Sequence, residues 1–251
     1  MHVSAVEASP TAVGVTQAAA QVKFTLQARV YLKLREDIST GRCASKEVMT
    51  LRGIAAEFGT SPMPVREAMQ RLEAENALET LPNRQIQVPP VSRERFDELT
   101  EVRKLLEGRC AATAAIRATD AELQRIAQVG ARLSDTLKNE DISRLPRVDH
   151  EYHFAIYRAA HTPVVLSIVE TLWLQSGPYL AAPARALQRR KSRLGGLNLS
   201  RHDEITTALM LAGDTAATQS VLLKISSKTA AWYRQIVGFD GPAAPRRFRS
   251  T

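Results

Sequence analysis

Three sets of residues in this 251-residue sequence have types and spacings that could do chemistry. Met63, Arg66 and Gln70 stand at i, i+3 and i+7, so a helix would carry all three on one face. Arg can contact guanine bidentately and Gln can do the same for adenine, which is how a major groove is read. Arg103 lies between Leu99 and Leu106 on an apolar stripe, where a charge is costly unless something pairs with it. Glu107, one turn on, is one partner for it; the carboxylate of a small effector, clamped by the guanidinium, is the other. Asp149 and His153 are i, i+4 and face the same way, and His202 shares a stripe with Ile205 and Leu209. One carboxylate and two imidazoles converging in a helical core suit a divalent transition metal of the zinc, nickel or manganese class. Alternatively, they line a polar pocket and hydrogen-bond one another or an effector.

The elements that must position these residues follow from periodicity and capping. Val30, Tyr31, Leu34 and Ile38 form a helical stripe that stops at Gly41. Thr50 caps a second helix, with Leu51, Ile54, Ala55 and Phe58 on one side and Gly59 at its end. Ser61 and Pro62 open a third, and Pro64 still falls within its first turn. That helix buries Val65, Ala68, Met69 and Leu72, and Asn76 ends it in a left-handed conformation. Two extended runs follow, Leu78–Leu81 and Gln85–Val88, joined by Pro82-Asn83-Arg84 as a hairpin. Three short helices and a two-stranded wing make a winged helix-turn-helix. On this reading the Ser61 hydroxyl and the wing-tip residues Asn83 and Arg84 hold phosphates, with Arg35 and Arg52 extending those backbone contacts.

Pro89-Pro90 stops the hairpin, and everything from Ser92 to Gly238 reads as helix. Pro146 opens one helix that runs to His161; Pro163 starts the next, interrupted at Gly177-Pro178. The expected organisation is a flexible arm at 1–22, a DNA-binding domain at 23–91, an all-helical effector-binding and dimerisation domain at 92–238, and a basic flexible tail at 239–251. The run Arg185–Arg193 reads as a solvated helix face, and His150 and His161 as ordinary surface or packing residues.

Composition sets the outer bounds. The formal net charge is +8, but residues 1–92 hold ten Lys/Arg against nine Asp/Glu, so bulk charge does not locate a DNA site. Cys43 and Cys110 have no spacing that suits a disulfide framework or a zinc finger, which fits a reducing cytoplasm. No run is long and apolar enough for a membrane span, and no membrane partner is expected.

The segments VYLKLREDISTGR, LRGIAAEFGTSPMPVREAMQRLEAENALETLPNRQIQVP and LTEVRKLLEGRCAATAA resemble the GntR family of bacterial transcription regulators, and the second half resembles the helical FCD domain of its FadR-type branch. The resemblance covers about residues 24–237. It implies that Arg103, in an EVR segment, clamps an effector, and that VDHEYHFAIY and SRHDEI supply metal ligands from a set of one Asp and three His. The third family His would fall near Ile225, so that ligand set is incomplete. Pro62 stands where the family commonly has Arg, and Asn76 where Gly is usual.

The expected function is that of a homodimeric, ligand-responsive regulator, a repressor by family resemblance. It would bind a palindromic operator in double-stranded DNA and answer to a small carboxylate effector. The effector would contact Arg103, Glu107, Asp149, His153 and His202. A metal-dependent enzyme using Asp149, His153 and His202 with Glu107 beside them, and an effector-independent DNA-binding regulator, are the alternatives.

Overall fold

The computed structural model describes residues 25–141, 143–190, 202–212 and 215–238, without side chains for 180–190, 202–203, 210–212 and 236–237. Helix α1 (Leu26–Ser39) starts at Thr25, whose hydroxyl accepts the Ala28 amide, and buries Val30, Tyr31, Leu34 and Ile38. Helix α2 (Leu51–Glu57) is capped by the Thr50 hydroxyl on the Gly53 amide and buries Ile54 and Ala55. Helix α3 (Pro62–Ala74) has Pro at its start, where no donor is lost, and buries Val65, Ala68, Met69 and Leu72. Asn76, just past the last turn of α3, takes φ 56°, and Gly59, past α2, takes φ 58°. These left-handed residues let three short helices pack round one core.

The wing has three strands where the sequence analysis expected two. Strand β1 (Val48–Met49) and the hairpin strands β2 (Glu79–Thr80) and β3 (Ile86–Gln87) form an antiparallel sheet with β3 in the centre. Val48 pairs with Gln87 and Met49 with Ile86. A two-residue strand has no period to read, and only its partner, some 38 residues later, defines it. At the hairpin tip the Asn83 side chain accepts the Gln85 amide, and Arg84 takes φ 63°.

The remainder is helical. Helix α4 (Arg93–Arg117), capped by Ser92, runs through the middle and is followed by five described helices, on the last four of which it packs. These are α5 (Asp120–Lys138), opened by a Thr119/Glu122 capping box, α6 (Leu145–Ala159), α7 (Pro163–Arg190), α8 (His202–Ala212) and α9 (Thr215–Val237). Helix α6 ends at Ala159 rather than reaching His161, which takes φ 52°.

The break expected at Gly177-Pro178 is absent: α7 continues through both residues. Proline costs the helix one hydrogen bond, and packing on both sides compensates. Trp173 is buried in the main helical core, Tyr179 with Phe96, and Leu174 in the N-terminal core beside Val30 and Ile38. Gly177 is what permits the approach, because a Cβ there would overlap the Ile38 carbonyl. The N-terminal core therefore includes a residue from the seventh helix, and packing crosses the boundary placed at residue 91.

Candidate DNA interface and effector site

The third helix presents the face that its buried stripe predicts. Met63 is 61% exposed, and Arg66 and Gln70 are exposed on the same side. Ser61 sits at the N-cap of α3 but its side chain makes no capping bond. Its hydroxyl is not used within the helix, and of the first three helical residues only Met63 carries an amide donor, since Pro62 and Pro64 have none. Arg52 and Arg84 are exposed. Asn83 is also exposed, and both ends of its amide are engaged by Gln85 at the turn.

Arg35 is elsewhere. Its guanidinium lies 3.6 Å from Glu75 and 3.6 Å from Glu170 on α7, and its side chain is 24% exposed. Two carboxylates hold it at the junction of the two units, away from the exposed face of α3. Glu75 is the hub there: it accepts the Tyr31 hydroxyl at 2.6 Å and Arg71 Nε at 3.3 Å. Arg71 also stacks over the Tyr31 ring. The Gln175 amide donates to the Glu75 carbonyl, and Arg95 bridges the Asn76 carbonyl and Gln175. Thus the end of the recognition helix is tied to α7 and α4.

In the helical unit, Arg103, Glu107, Asp149 and His153 come together. Glu107 is 2% exposed and accepts three donors: Arg103 Nε at 2.6 Å, Trp173 Nε1 at 2.7 Å and the Tyr157 hydroxyl at 2.9 Å. The Arg103 guanidinium lies over the Trp173 ring, 4.2 Å from its centroid. Burial is the strongest single influence and works against the Arg103 charge, but Glu107, Tyr157 and Asp149 together outweigh it and leave the group more basic than usual. Burial, with Glu107 next, holds the Tyr157 proton well above its ordinary range. His153 Nδ1 is 3.1 Å from the Tyr157 hydroxyl, and its Nε2 is 3.6 Å from Asp149.

His202 opens α8 in backbone, but its side chain lies outside the described residues, as do the arm at 1–22, the tail and the side chains of Arg185–Arg193. Ile225, where a further ligand was sought, is a buried core residue. Among the described residues no three His, Cys, Asp or Glu side chains are grouped to hold a metal ion. His150 is a packing residue, stacked on Phe154 at 4.2 Å and edge-on to Trp173, and burial lowers its pKa to about 4. His161 pairs with Glu122.

Glu75, Tyr157, Trp173 and Tyr233 were not among the residues expected from the sequence. Tyr157 had a signal, since it continues the Asp149–His153 stripe by another four residues. The others depend on contacts from distant helices.

No helix among the described residues is long and apolar enough to cross a membrane. Residues 26–88 match the bacterial regulatory proteins of the gntR family, and residues 98–225 match the FCD domain. The HTH-type transcriptional regulator McbR of Escherichia coli (strain K12) is 30% identical over 159 residues, which is 63% of this chain and 71% of that protein. The Uxu operon regulator of Haemophilus influenzae is 30% identical over 158 residues, 58% of each protein. The solved structure of E. coli McbR/YncC superposes with a TM-score of 0.77 at 25% identity, covering 84% of this chain and 98% of that one. A GntR regulator from Rhodococcus sp. RHA1 gives 0.68 at 24% identity over 84% and 97%, a likeness of fold. With a gntR-type winged helix-turn-helix joined to an FCD domain, the chain belongs to the GntR family of bacterial transcription regulators, DNA-binding proteins rather than enzymes.

Proposed function

We propose that this protein is a cytoplasmic, homodimeric repressor whose affinity for a palindromic operator is set by a small carboxylate metabolite bound beside Arg103. Residues 23–91 are the DNA-reading unit and 92–238 the effector-binding and dimerisation unit. The observation that carries the effector reading is the state of Arg103. Glu107 and Trp173 fix its Nε edge and ring face, its side chain keeps 19% exposure, and no described residue bonds its two Nη groups. A guanidinium fixed in this way offers a carboxylate two parallel donors at little entropic cost.

For DNA, the exposed Met63, Arg66 and Gln70 supply base contacts, while Ser61, Arg52 and Arg84 supply phosphate contacts. Dimerisation is supported by an apolar row on the outer side of α4, where Val102, Leu105 and Ile116 are 43%, 67% and 71% exposed. A second copy of the chain is the natural cover for it, and Leu105→Glu should yield a monomer by light scattering. Coupling is supported by α7, on which Trp173 touches the Arg103–Glu107 pair while its neighbour Leu174 is buried in the DNA-reading unit.

The test is selection of bound sequences from random duplexes at near-physiological salt, followed by titration of the selected operator complex with small carboxylic acids. The expected result is a short palindrome, released by at least one acid from wild type and by none from Arg103→Met. An asymmetric or unenriched pool would overturn the operator reading. Release of Arg103→Met at the wild-type acid concentration would overturn the clamp.

A divalent metal is a second reading, favoured by one detail. His153 bonds the Tyr157 hydroxyl through Nδ1, and its Nε2 lies 3.6 Å from Asp149 on the same helix. A cation between them would suit both groups, with His202 as the third donor. Unchanged melting of chelator-treated protein on adding zinc, nickel or manganese would discard this reading.

A further inference from the structure

The sequence contains five tyrosines, and four of their hydroxyls have partners within the fold. Tyr31 donates to Glu75, Tyr157 to Glu107, Tyr152 shares a proton with Thr206 at 2.9 Å, and Tyr179 accepts the Ser92 amide. The fifth, Tyr233 on α9, is 5% exposed, and its hydroxyl is fully enclosed with no hydrogen-bond partner among the described residues. Buried tyrosine hydroxyls normally find one, because an unmade bond forfeits the hydration given up on folding.

Its surroundings explain what the hydroxyl is for. The Tyr233 ring is stacked on Phe96, 5.5 Å between centroids, and packs with Leu99, one turn before Arg103 on α4. Burial holds its proton well above the ordinary phenol range, and the charges acting on it are those of Asp149 and Arg103. The phenol is therefore a neutral donor on a helix that packs along α4, the helix that carries Arg103.

We infer that Tyr233 is the second anchor of the effector, donating its O–H to a neutral oxygen of the bound acid while Arg103 holds the carboxylate. This rests on the carboxylate reading above and narrows it. Nε of Arg103 is taken by Glu107, which leaves Nη1 and Nη2 to grip both oxygens of one carboxylate end-on. The Tyr233 proton then needs another acceptor, such as a hydroxyl, carbonyl or amide oxygen elsewhere on the ligand. A pocket that buries such a donor discriminates against an acid lacking the acceptor, because that acid leaves the donor unpaired.

Calorimetric titration of the full-length protein with matched acids tests this: lactate against propionate, and malate against succinate. Wild type should favour the hydroxylated member of at least one pair by about tenfold or more. Tyr233→Phe should bring that ratio close to one while leaving the affinity for the deoxy member unchanged. Without ligand, Tyr233→Phe should melt no lower than wild type, since it removes a donor that the fold does not use. Equal affinities within both pairs for wild type, or an undiminished ratio in Tyr233→Phe, would overturn the proposal while leaving the Arg103 clamp standing. A markedly lower melting temperature for the ligand-free variant would also overturn it, by showing that the hydroxyl is held internally. If no acid of either pair binds wild type, the carboxylate reading fails and this inference fails with it.

Discussion

Two glutamates, each met by an arginine and a tyrosine, stand on either side of helix α7. Glu75, at the end of the recognition helix, has a side chain 21% exposed and accepts the hydroxyl of the buried Tyr31, although its Oε2 is itself enclosed. Glu107, in the helical unit, is 3% exposed and accepts three short bonds from Arg103, Trp173 and Tyr157. The ingredients are alike and the solvent is not. A carboxylate near water can lose a partner and be rehydrated, whereas one sealed among rings cannot. The Glu75 cluster can therefore exchange a partner for water at modest cost, and the Glu107 cluster cannot.

Mutation can break this contrast. Glu107→Ala would strand the Arg103 charge and two buried donors, and should lower unfolding free energy by about 3–5 kcal/mol in urea titrations. The matching Glu75→Ala should cost only about 1 kcal/mol. If the two losses were equal, burial would not be what separates the clusters.

Acid should probe the same difference. His150 lies against Trp173, and burial lowers its pKa from 6.5 to about 4. A histidine less basic in the fold than in the unfolded chain gives full stability above about pH 6.5 and loses it as pH falls toward 4, since the unfolded chain takes up the proton first. With about 1.4 kcal/mol per pKa unit and some solvent access at the ring, the loss should be about 2–3 kcal/mol. Thermal melts between pH 4 and 7 should show this slope in wild type and a flatter one in His150→Phe.

On the DNA side, Arg66→Ala should weaken specific operator binding by about 1–3 kcal/mol and relax one base position in a repeated selection. Arg35→Ala should change operator affinity least, by less than about 1 kcal/mol, and leave its salt dependence intact, because Arg35 faces Glu75 and Glu170. A salt slope reduced by about one in this variant would place Arg35 among the phosphate contacts.

What the sequence revealed follows how far each interaction reaches along the chain. The stripe Val65–Ala68–Met69–Leu72, the helix start at Pro62 and the left-handed Asn76 are decided within a few residues, and all are visible without a structure. So is the Arg103–Glu107 pair, set by one helical turn. Strand β1 was invisible because its two residues acquire their identity from β3. The ion pair of Arg35 with Glu170 was not legible, because Glu170 lies 135 residues away. Gly177-Pro178 carried a true local signal for a break, which packing from both units overrode. Trp173 and Tyr233 owe their roles to helices that meet only in the folded chain.

The seat of Leu174 and Gly177 against α1 has a consequence for how such regulators can be recombined. A recipient for a transplanted N-terminal unit would have to supply both a leucine to complete that unit's interior and a glycine flat enough to let it dock. The two halves are inherited as a fitted pair, and a chimera joined at residue 91 would import a reading head with a hole in it.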